Sequence, residues 1–121
     1  MPLATLSVVM LVCSDLERSL HFYRDVLGLR VTTDASPVRI DFALGTGVCL
    51  SVHARNDLLV VRPGSLQLGL SVRSVDSFLA DCRQLGVPVF QDAYNEPYGR
   101  IAVIGDPDGY PIQLGSNRRK S

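Results

Sequence analysis

Residues 105–114 read GDPDGYPIQL, and this stretch decides the fold because it predicts a tight hairpin. Pro107 fixes its own φ near about −65°, the flanking aspartates can accept hydrogen bonds from backbone N–H groups, and Gly109 tolerates a positive φ. One strand therefore ends before this turn and another begins after it. The second strand alternates apolar and polar residues, so it places Gln113 on the face opposite the core.

The chain around this hairpin contains two copies of one pattern. A first helix is predicted at residues 16–27, with a capping box at Ser14 and Glu17, and a second at residues 74–85. Laying Gly28 over Gly86, the glycine that follows each helix, aligns the apolar residues of the two copies. Strands are predicted at residues 6–12, 29–33, 38–44 and 48–53 in the first copy, and at 66–72, 87–90, 99–105 and 111–115 in the second.

This repeat predicts an α+β fold of two βαβββ modules, with helices outside and curved mixed sheets around a concave cavity. Module one covers about residues 5–56, a connector about 57–65, module two about 66–116 and a short basic tail 117–121, all within a single domain of residues 1–121. Residues 58–61 of the connector are too apolar for a solvated linker. Together with the open sheet edges, they predict a homodimer.

Composition narrows the possible partners. Twelve Lys and Arg residues balance twelve Asp and Glu residues, which favours neither nucleic acid nor an anionic membrane as a partner. No apolar run is long enough for a membrane span. Three cysteines without a CxxC pair predict thiols in a reducing compartment, so we expect a cytoplasmic protein. The balanced charge predicts a neutral small molecule as its partner.

Three segments resemble a known superfamily in their order and spacing: the 105–114 hairpin, residues 14–28 (SDLERSLHFYRDVLG) and residues 97–100 (PYGR). They are similar to the vicinal oxygen chelate superfamily, which includes glyoxalase I, bleomycin resistance proteins and extradiol dioxygenases. The resemblance extends from about Leu6 to Gly115. It implies the two-module fold, and it leaves the activity open because the superfamily contains both enzymes and non-enzymatic binders.

The resemblance also implies where a metal centre would lie. In the metal-dependent members, ligands occupy the first strand and a late strand of each module, and here those positions fall on Val8, Gln67, Gln113 and either Cys49 or Ser51. Valine cannot bind a metal ion, and glutamine amides are neutral, weak donors. We therefore expect no metal and no other cofactor, with a divalent metal as the alternative.

The phases of the strands predict a ligand-binding face instead. Val8 and Met10 would form an apolar wall, with Gln67, Gln113 and His53 as polar anchors. The alternative is that the two glutamines only fill a solvated sheet face and that His53 lies in water at a strand end. Further candidates, also compatible with a structural role at the start of a strand, are Tyr98 and Arg100.

These observations favour a small-molecule-binding protein that lacks the superfamily's usual metal centre. A neutral, planar or aromatic compound with carbonyl or hydroxyl groups would suit amide anchors. The alternative is an enzyme, either a divergent metal-dependent lyase or dioxygenase, or a metal-free enzyme in which His53 is the acid or base. The identity of the ligand does not follow from the sequence.

Overall fold

A computed structural model describes residues 4–45 and 47–116 of the chain. The basic tail predicted at residues 117–121 and Thr46, in the predicted turn between Gly45 and Gly47, lie outside the described residues. The chain divides into two compact units on either side of the Arg62–Pro63 bond. In the part of the chain that the structure describes, no helix has the length and hydropathy needed to cross a membrane.

Module one contains one mixed sheet and one helix. Its elements are β1 (Val8–Cys13), α1 (Leu16–Leu20) continuing as a π-helix (His21–Val26), β2 (Val31–Ala35), β3 (Arg39–Ala43) and β4 (Cys49–Ala54). The strand order is β1-β4-β3-β2, with β1 parallel to β4 and the other pairs antiparallel. Alternate strand residues and the inner side of the helix form the core: Leu11, Cys13, Phe22, Tyr23, Ile40, Phe42, Leu50 and Val52.

The first helix begins differently from its prediction. Asp15 is the N-cap, and its Oδ1 accepts a hydrogen bond from the backbone N–H of Arg18 at 3.2 Å. The capping box predicted at Ser14 and Glu17 is therefore wrong, because the adjacent carboxylate occupies that role.

The second half of this helix is π-helical. The Leu27 N–H donates to the Phe22 carbonyl at 3.0 Å, five residues earlier, which is the π-helical hydrogen bond. Adjacent Phe22 and Tyr23 are consequently both buried, with their rings edge-to-face at a centroid distance of 5.0 Å. Gly28 ends the helix with φ +77°, a conformation that L side chains rarely adopt.

Module two repeats this architecture. Its elements are β5 (Leu68–Ser71), α2 (Val75–Gln84), β6 (Val89–Glu96), β7 (Gly99–Gly105) and β8 (Pro111–Ser116). The order is β5-β8-β7-β6, with β5 parallel to β8. Core residues come again from alternate strand positions and from one face of the helix: Val75, Leu79, Cys82, Ala102, Ile104, Ile112 and Leu114. The two sheets and two helices confirm the predicted α+β class and its two modules.

The hairpin at residues 105–114 is stabilised by a buried carboxylate. Asp106 is 4% exposed, and its Oδ1 accepts hydrogen bonds from the backbone N–H groups of Asp108 at 2.9 Å and Tyr110 at 2.8 Å. Gly109 has φ +90°, as the turn requires. Strands β7 and β8 therefore meet at the predicted position.

Several predicted strand limits are wrong. Strand β5 begins at Leu68, so Gln67 precedes it, and β6 continues to Glu96 instead of ending at residue 90. Strand β6 is an edge strand rich in polar residues, so its second half lacks the apolar alternation from which strands are predicted. Val38 lies in the turn before β3, where its N–H donates to the Ala35 carbonyl, and is 51% exposed instead of in the core.

Candidate functional site

Each sheet has one face packed on its helix and a second face turned away from the helix, which we call the open face. In module one, directly paired residues form three rows across the open face: Val8, Cys49 and Ala43; Met10, Ser51, Asp41 and Thr33; Val12, His53, Arg39 and Ala35. The structure thus brings three predicted site residues, Val8, Met10 and His53, onto one face of this module.

The centre of this open face is polar and incompletely hydrogen-bonded. Ser51 is 3% exposed and the Asp41 side chain is 13% exposed. Neither the Ser51 Oγ nor the Asp41 Oδ1 has a hydrogen-bond partner among the described residues. Arg39 Nε lies 3.3 Å from Oδ1, but its hydrogen bond goes to Oδ2 at 3.4 Å. The guanidinium nitrogen therefore lies at a long contact distance from both carboxylate oxygens.

The flanks of this face are more accessible. Val8 and Met10 are each 44% exposed, so the apolar wall predicted for them is open to a ligand or to water. His53 is half-buried, and its Nδ1 has a long contact of 3.4 Å with the carbonyl oxygen of Ala54. A cavity of about 270 Å³ at one end of the sheet is lined by Cys49 and does not include Val8, Met10 or His53.

In module two, the structure brings the two predicted glutamine anchors together. Gln67 Nε2 donates to Gln113 Oε1 at 3.5 Å, across the parallel pair of β5 and β8. Gly69 is the direct partner of Gln113, and a Cβ built on this glycine would meet nothing within 4 Å. An uncrowded space therefore lies beside the amide pair.

The row that contains Gln113 continues across the sheet through Val103 to Gln91, and the next row pairs Ile101 with Tyr94. Tyr94 is 39% exposed, and its pKa is raised, first by desolvation and then by the nearby Glu96. Sequence reasoning missed Tyr94, because β6 was predicted to end before it. The register with β7 identifies it, since direct partners share a face.

The two weaker candidates lie elsewhere. Arg100 alternates with Ile101 and therefore lies on the helix-facing side of the sheet, where its guanidinium binds Asp76 of α2. Hydrogen bonding to this carboxylate raises the pKa of Arg100. Tyr98 is in the two-residue turn between β6 and β7 and is 64% exposed. Neither is brought beside the amide pair.

The residues at the superfamily's metal positions do not fit a divalent ion. In module one the positions offer the apolar Val8 and either the thiol of Cys49 or the hydroxyl of Ser51, and in module two they offer two amides hydrogen-bonded to each other. In the described ranges, no three His, Cys, Asp or Glu side chains are grouped so that they could hold a metal. Such a donor set supplies at most one anionic ligand, a Cys49 thiolate, which is too few to offset the dehydration of the ion.

Solved structures with the same fold include proteins of different activities. The chain is similar to TnmS3, an antibiotic binding protein from Streptomyces sp. CB03234, at 29% identity over 97% of this chain and 98% of that one, with a TM-score of 0.79. A glyoxalase-related enzyme from Fulvimarina pelagi is 26% identical over 95% and 89% of the two chains, with a TM-score of 0.81.

Lactoylglutathione lyase from Agrobacterium tumefaciens shares the fold at 22% identity over 95% of this chain and 94% of that one, with a TM-score of 0.72. No curated protein matches the chain significantly. The family model of the Glyoxalase/Bleomycin resistance protein/Dioxygenase superfamily matches residues 5–114, nearly all of the described structure. The chain therefore belongs to the glyoxalase/bleomycin resistance protein/dioxygenase superfamily.

Proposed function

We propose that the chain is a small-molecule-binding protein that acts without the superfamily's metal centre. Its ligand is a neutral, planar or aromatic compound with carbonyl or hydroxyl groups. The observation that carries this proposal is the amide pair of Gln67 and Gln113 beside the open space at Gly69. An amide pair of this kind presents a donor and an acceptor to one ligand at the same time.

The surroundings of the amide pair favour a neutral ligand. The row that contains Gln113 holds the side chains of Val103 and Gln91 and no charged group. Tyr94, near the apolar Ile101, supplies an aromatic surface for a planar compound. Net charge is zero for the whole chain, so no general field attracts an ionic ligand.

The similarity to an antibiotic binding protein supports the same reading. TnmS3 is 29% identical to this chain over nearly the full length of both. Natural-product antibiotics with planar, hydroxylated ring systems are therefore the first compounds to test.

The proposal extends to the setting of the protein. We place it in the cytoplasm, because Cys13, Cys49 and Cys82 are thiols and a reducing compartment keeps them so. A homodimer is supported by exposed apolar side chains in the connector, with Leu58 91% and Val60 46% exposed. Light scattering tests the dimer, since a mass near the 13.2 kDa of one chain would contradict it.

A second candidate function is catalysis. It is favoured by the half-buried His53 on the open face of module one and by the 26% identity to a glyoxalase-related enzyme. Metal analysis of untagged protein separates the metal-dependent form of this candidate from binding alone. One equivalent of zinc, nickel, iron or manganese retained after dialysis against a chelator would contradict the metal-free proposal.

The direct test is a thermal-shift screen of antibiotics and aromatic metabolites, followed by affinity measurements on variants. Removing one amide contact should weaken binding about fivefold to tenfold, so Gln67→Ala and Gln113→Ala are expected to fall in this range. Gln84→Ala is the matched control, because Gln84 is exposed on α2. Equal affinity in all three variants would show that the amide pair is not the binding site.

A further inference from the structure

Two glycines on the open face of module two leave spaces that are used differently. Gly69 is the direct partner of Gln113 across β5 and β8. Gly105 lies two residues after Val103, the partner of Gln113 on β7, so it shares the same face. A Cβ built on Gly69 would meet no heavy atom of the described residues within 4 Å, whereas a Cβ built on Gly105 would overlap Cζ of Phe90. The space at Gly69 is therefore open, and that at Gly105 holds an aromatic ring.

The ring of Phe90 reaches this face from the edge strand β6. Its Cε1 and Cε2 lie 2.8 and 2.9 Å from the Cβ position built on Gly105, so the end of the ring covers this glycine, which is itself buried. The register of β6 on β7 shifts between Val89 and Gln91, and a shift of this kind redirects a side chain from the regular alternation. Phe90 is nevertheless 52% exposed, so much of its ring surface is accessible to a ligand.

The covered glycine is a close neighbour of the amide pair. Gly105 and Gln113 are diagonal neighbours on β7 and β8, because Gly105 pairs with Pro111, two residues before Gln113. Diagonal neighbours on one face are about 7–8 Å apart, a distance that long and aromatic side chains can span. A ligand that is hydrogen-bonded to the Gln113 amide can therefore contact the Phe90 ring as well.

The chemistry of this arrangement favours a flat aromatic ligand. Two aromatic rings attract each other in edge-to-face or offset-stacked geometry beyond their burial of area, and a saturated ring lacks this gain. Tyr94 lies on the other side of the row that contains Gln113, because its partner Ile101 precedes Val103 by two residues. Aromatic side chains therefore lie on both sides of the row, which suits a ligand of more than one ring.

We infer that Phe90, packed on Gly105, gives the amide site its selectivity for flat aromatic rings over saturated rings of the same size. The ligand class is a neutral, fused aromatic ring system that carries a carboxamide or an equivalent donor and acceptor. This inference rests on the proposed function for the position of the site. Gly105 has a positioning role, because a larger residue there would displace the ring.

The test compares two neutral probes on the full chain, naphthalene-2-carboxamide and its saturated counterpart decahydronaphthalene-2-carboxamide, with affinities measured by calorimetry. The preference is the affinity for the aromatic probe divided by that for the saturated probe. Differences in hydrophobicity between the probes cancel when this preference is compared between variants. Phe90→Leu keeps an apolar side chain and is expected to lower the preference about threefold to tenfold.

Tyr98→Leu is the matched control, since Tyr98 is also an exposed aromatic residue but lies in the turn between β6 and β7. It should keep the wild-type preference. Gly105→Ala is a second variant: the φ of Gly105 is not positive, so alanine adds no backbone strain, and its Cβ fits only if the Phe90 ring moves. This variant should lower the preference as Phe90→Leu does, and it should have no further effect in a Phe90→Ala background.

The outcomes separate the role of Phe90 from the amide pair. Gln113→Ala should weaken both probes by similar factors and keep the preference. An unchanged preference in Phe90→Leu, or a lower one in Tyr94→Leu alone, overturns the role of Phe90 and leaves the amide-pair site unaffected if Gln113→Ala weakens binding. A lower preference in Phe90→Leu with no effect of Gln113→Ala supports the role of Phe90 and overturns the amide-pair site. Failure of both probes to bind wild type overturns this inference and removes the ligand class from the proposed function.

Discussion

Arg100 of β7 and Asp76 of α2 form a two-point ion pair: Nε donates to Oδ2 at 2.8 Å and Nη2 donates to Oδ1 at 3.0 Å. The remaining donor Nη1 binds Asn95 Oδ1 at 3.1 Å. One guanidinium therefore ties the first turn of α2 to two neighbouring strands. Planar two-point pairing of this kind depends on arginine, because a lysine ammonium cannot reproduce its geometry.

Replacing this arginine should affect stability and leave binding unchanged. Arg100→Lys is expected to lower the thermal midpoint, while its affinity for any hit of the ligand screen stays at the wild-type value. An Asp76→Asn, Arg100→Lys double variant should lose less than the sum of the single losses, because both substitutions break one pair. Weaker binding by Arg100→Lys at an unchanged midpoint would instead place this residue in the ligand site.

The buried carboxylate of the deciding hairpin should be one of the most sensitive positions in module two. Asp106→Ala removes the acceptor for two backbone N–H groups, those of Asp108 and Tyr110, and should cost about 2 kcal/mol of unfolding free energy. Urea denaturation measures the loss. Asp106→Asn is the matched control, since its side-chain oxygen can still accept, and an equal loss in both variants would contradict this account.

The buried hydroxyl of Ser19 should be dispensable. The residue has no exposed surface and its Oγ has no partner in the described residues, so Ser19→Ala removes an unsatisfied polar atom and adds a better helix former. The expected gain is up to about 1 kcal/mol in urea denaturation. A destabilised Ser19→Ala would show that the hydroxyl is bonded in solution.

Acid should weaken the first helix through one carboxylate. Hydrogen bonding from Arg24, and then from His21, lowers the pKa of Asp25 from 3.8 to about 2. The stabilisation from this depressed pKa is complete above pH 3.8 and is lost as the pH falls towards about 2. Asp25→Asn should therefore show a shallower fall in unfolding free energy across this interval, and parallel curves for the two proteins would contradict the shift.

Local chemistry accounts for the parts of the fold that the sequence predicts well. The turn at residues 105–110 depends on groups within a few positions of one another, and so do the helix ends at Gly28 and Gly86. The repeat then duplicates each of these signals. The shared face of Gln67 and Gln113 was also predicted from the alternation of residues, although Gln67 itself lies just before β5.

Other features depend on pairing between distant segments and were not predictable from local patterns. The neighbours Asp41 and Ser51 are defined by the register of β3 on β4, which a single-strand pattern does not fix. Tyr94 lies on the open face because the register of β6 on β7 shifts between Gln91 and Tyr94. The π-helical turn after Leu20 shifts the buried side of the helix by one residue. The spacing of the apolar residues in the sequence does not predict this shift.

The parallel pairing of β1 with β4 has a consequence for the nascent chain. Strands β2, β3 and β4 can pair with strands close to them in the chain. Strand β1 pairs only with β4, so it can pair only after the helix and all three later strands have been synthesised. Pairing β1 with β4 closes a long loop, so we expect this pairing to be the slow step of assembly within the module. During translation the apolar Val8–Cys13 segment therefore emerges first and stays unpaired longest, which makes it a target for chaperones. In chains stalled before Cys49, a protease should cleave within the Val8–Cys13 segment. In chains extended past Ala54, this segment should be protected.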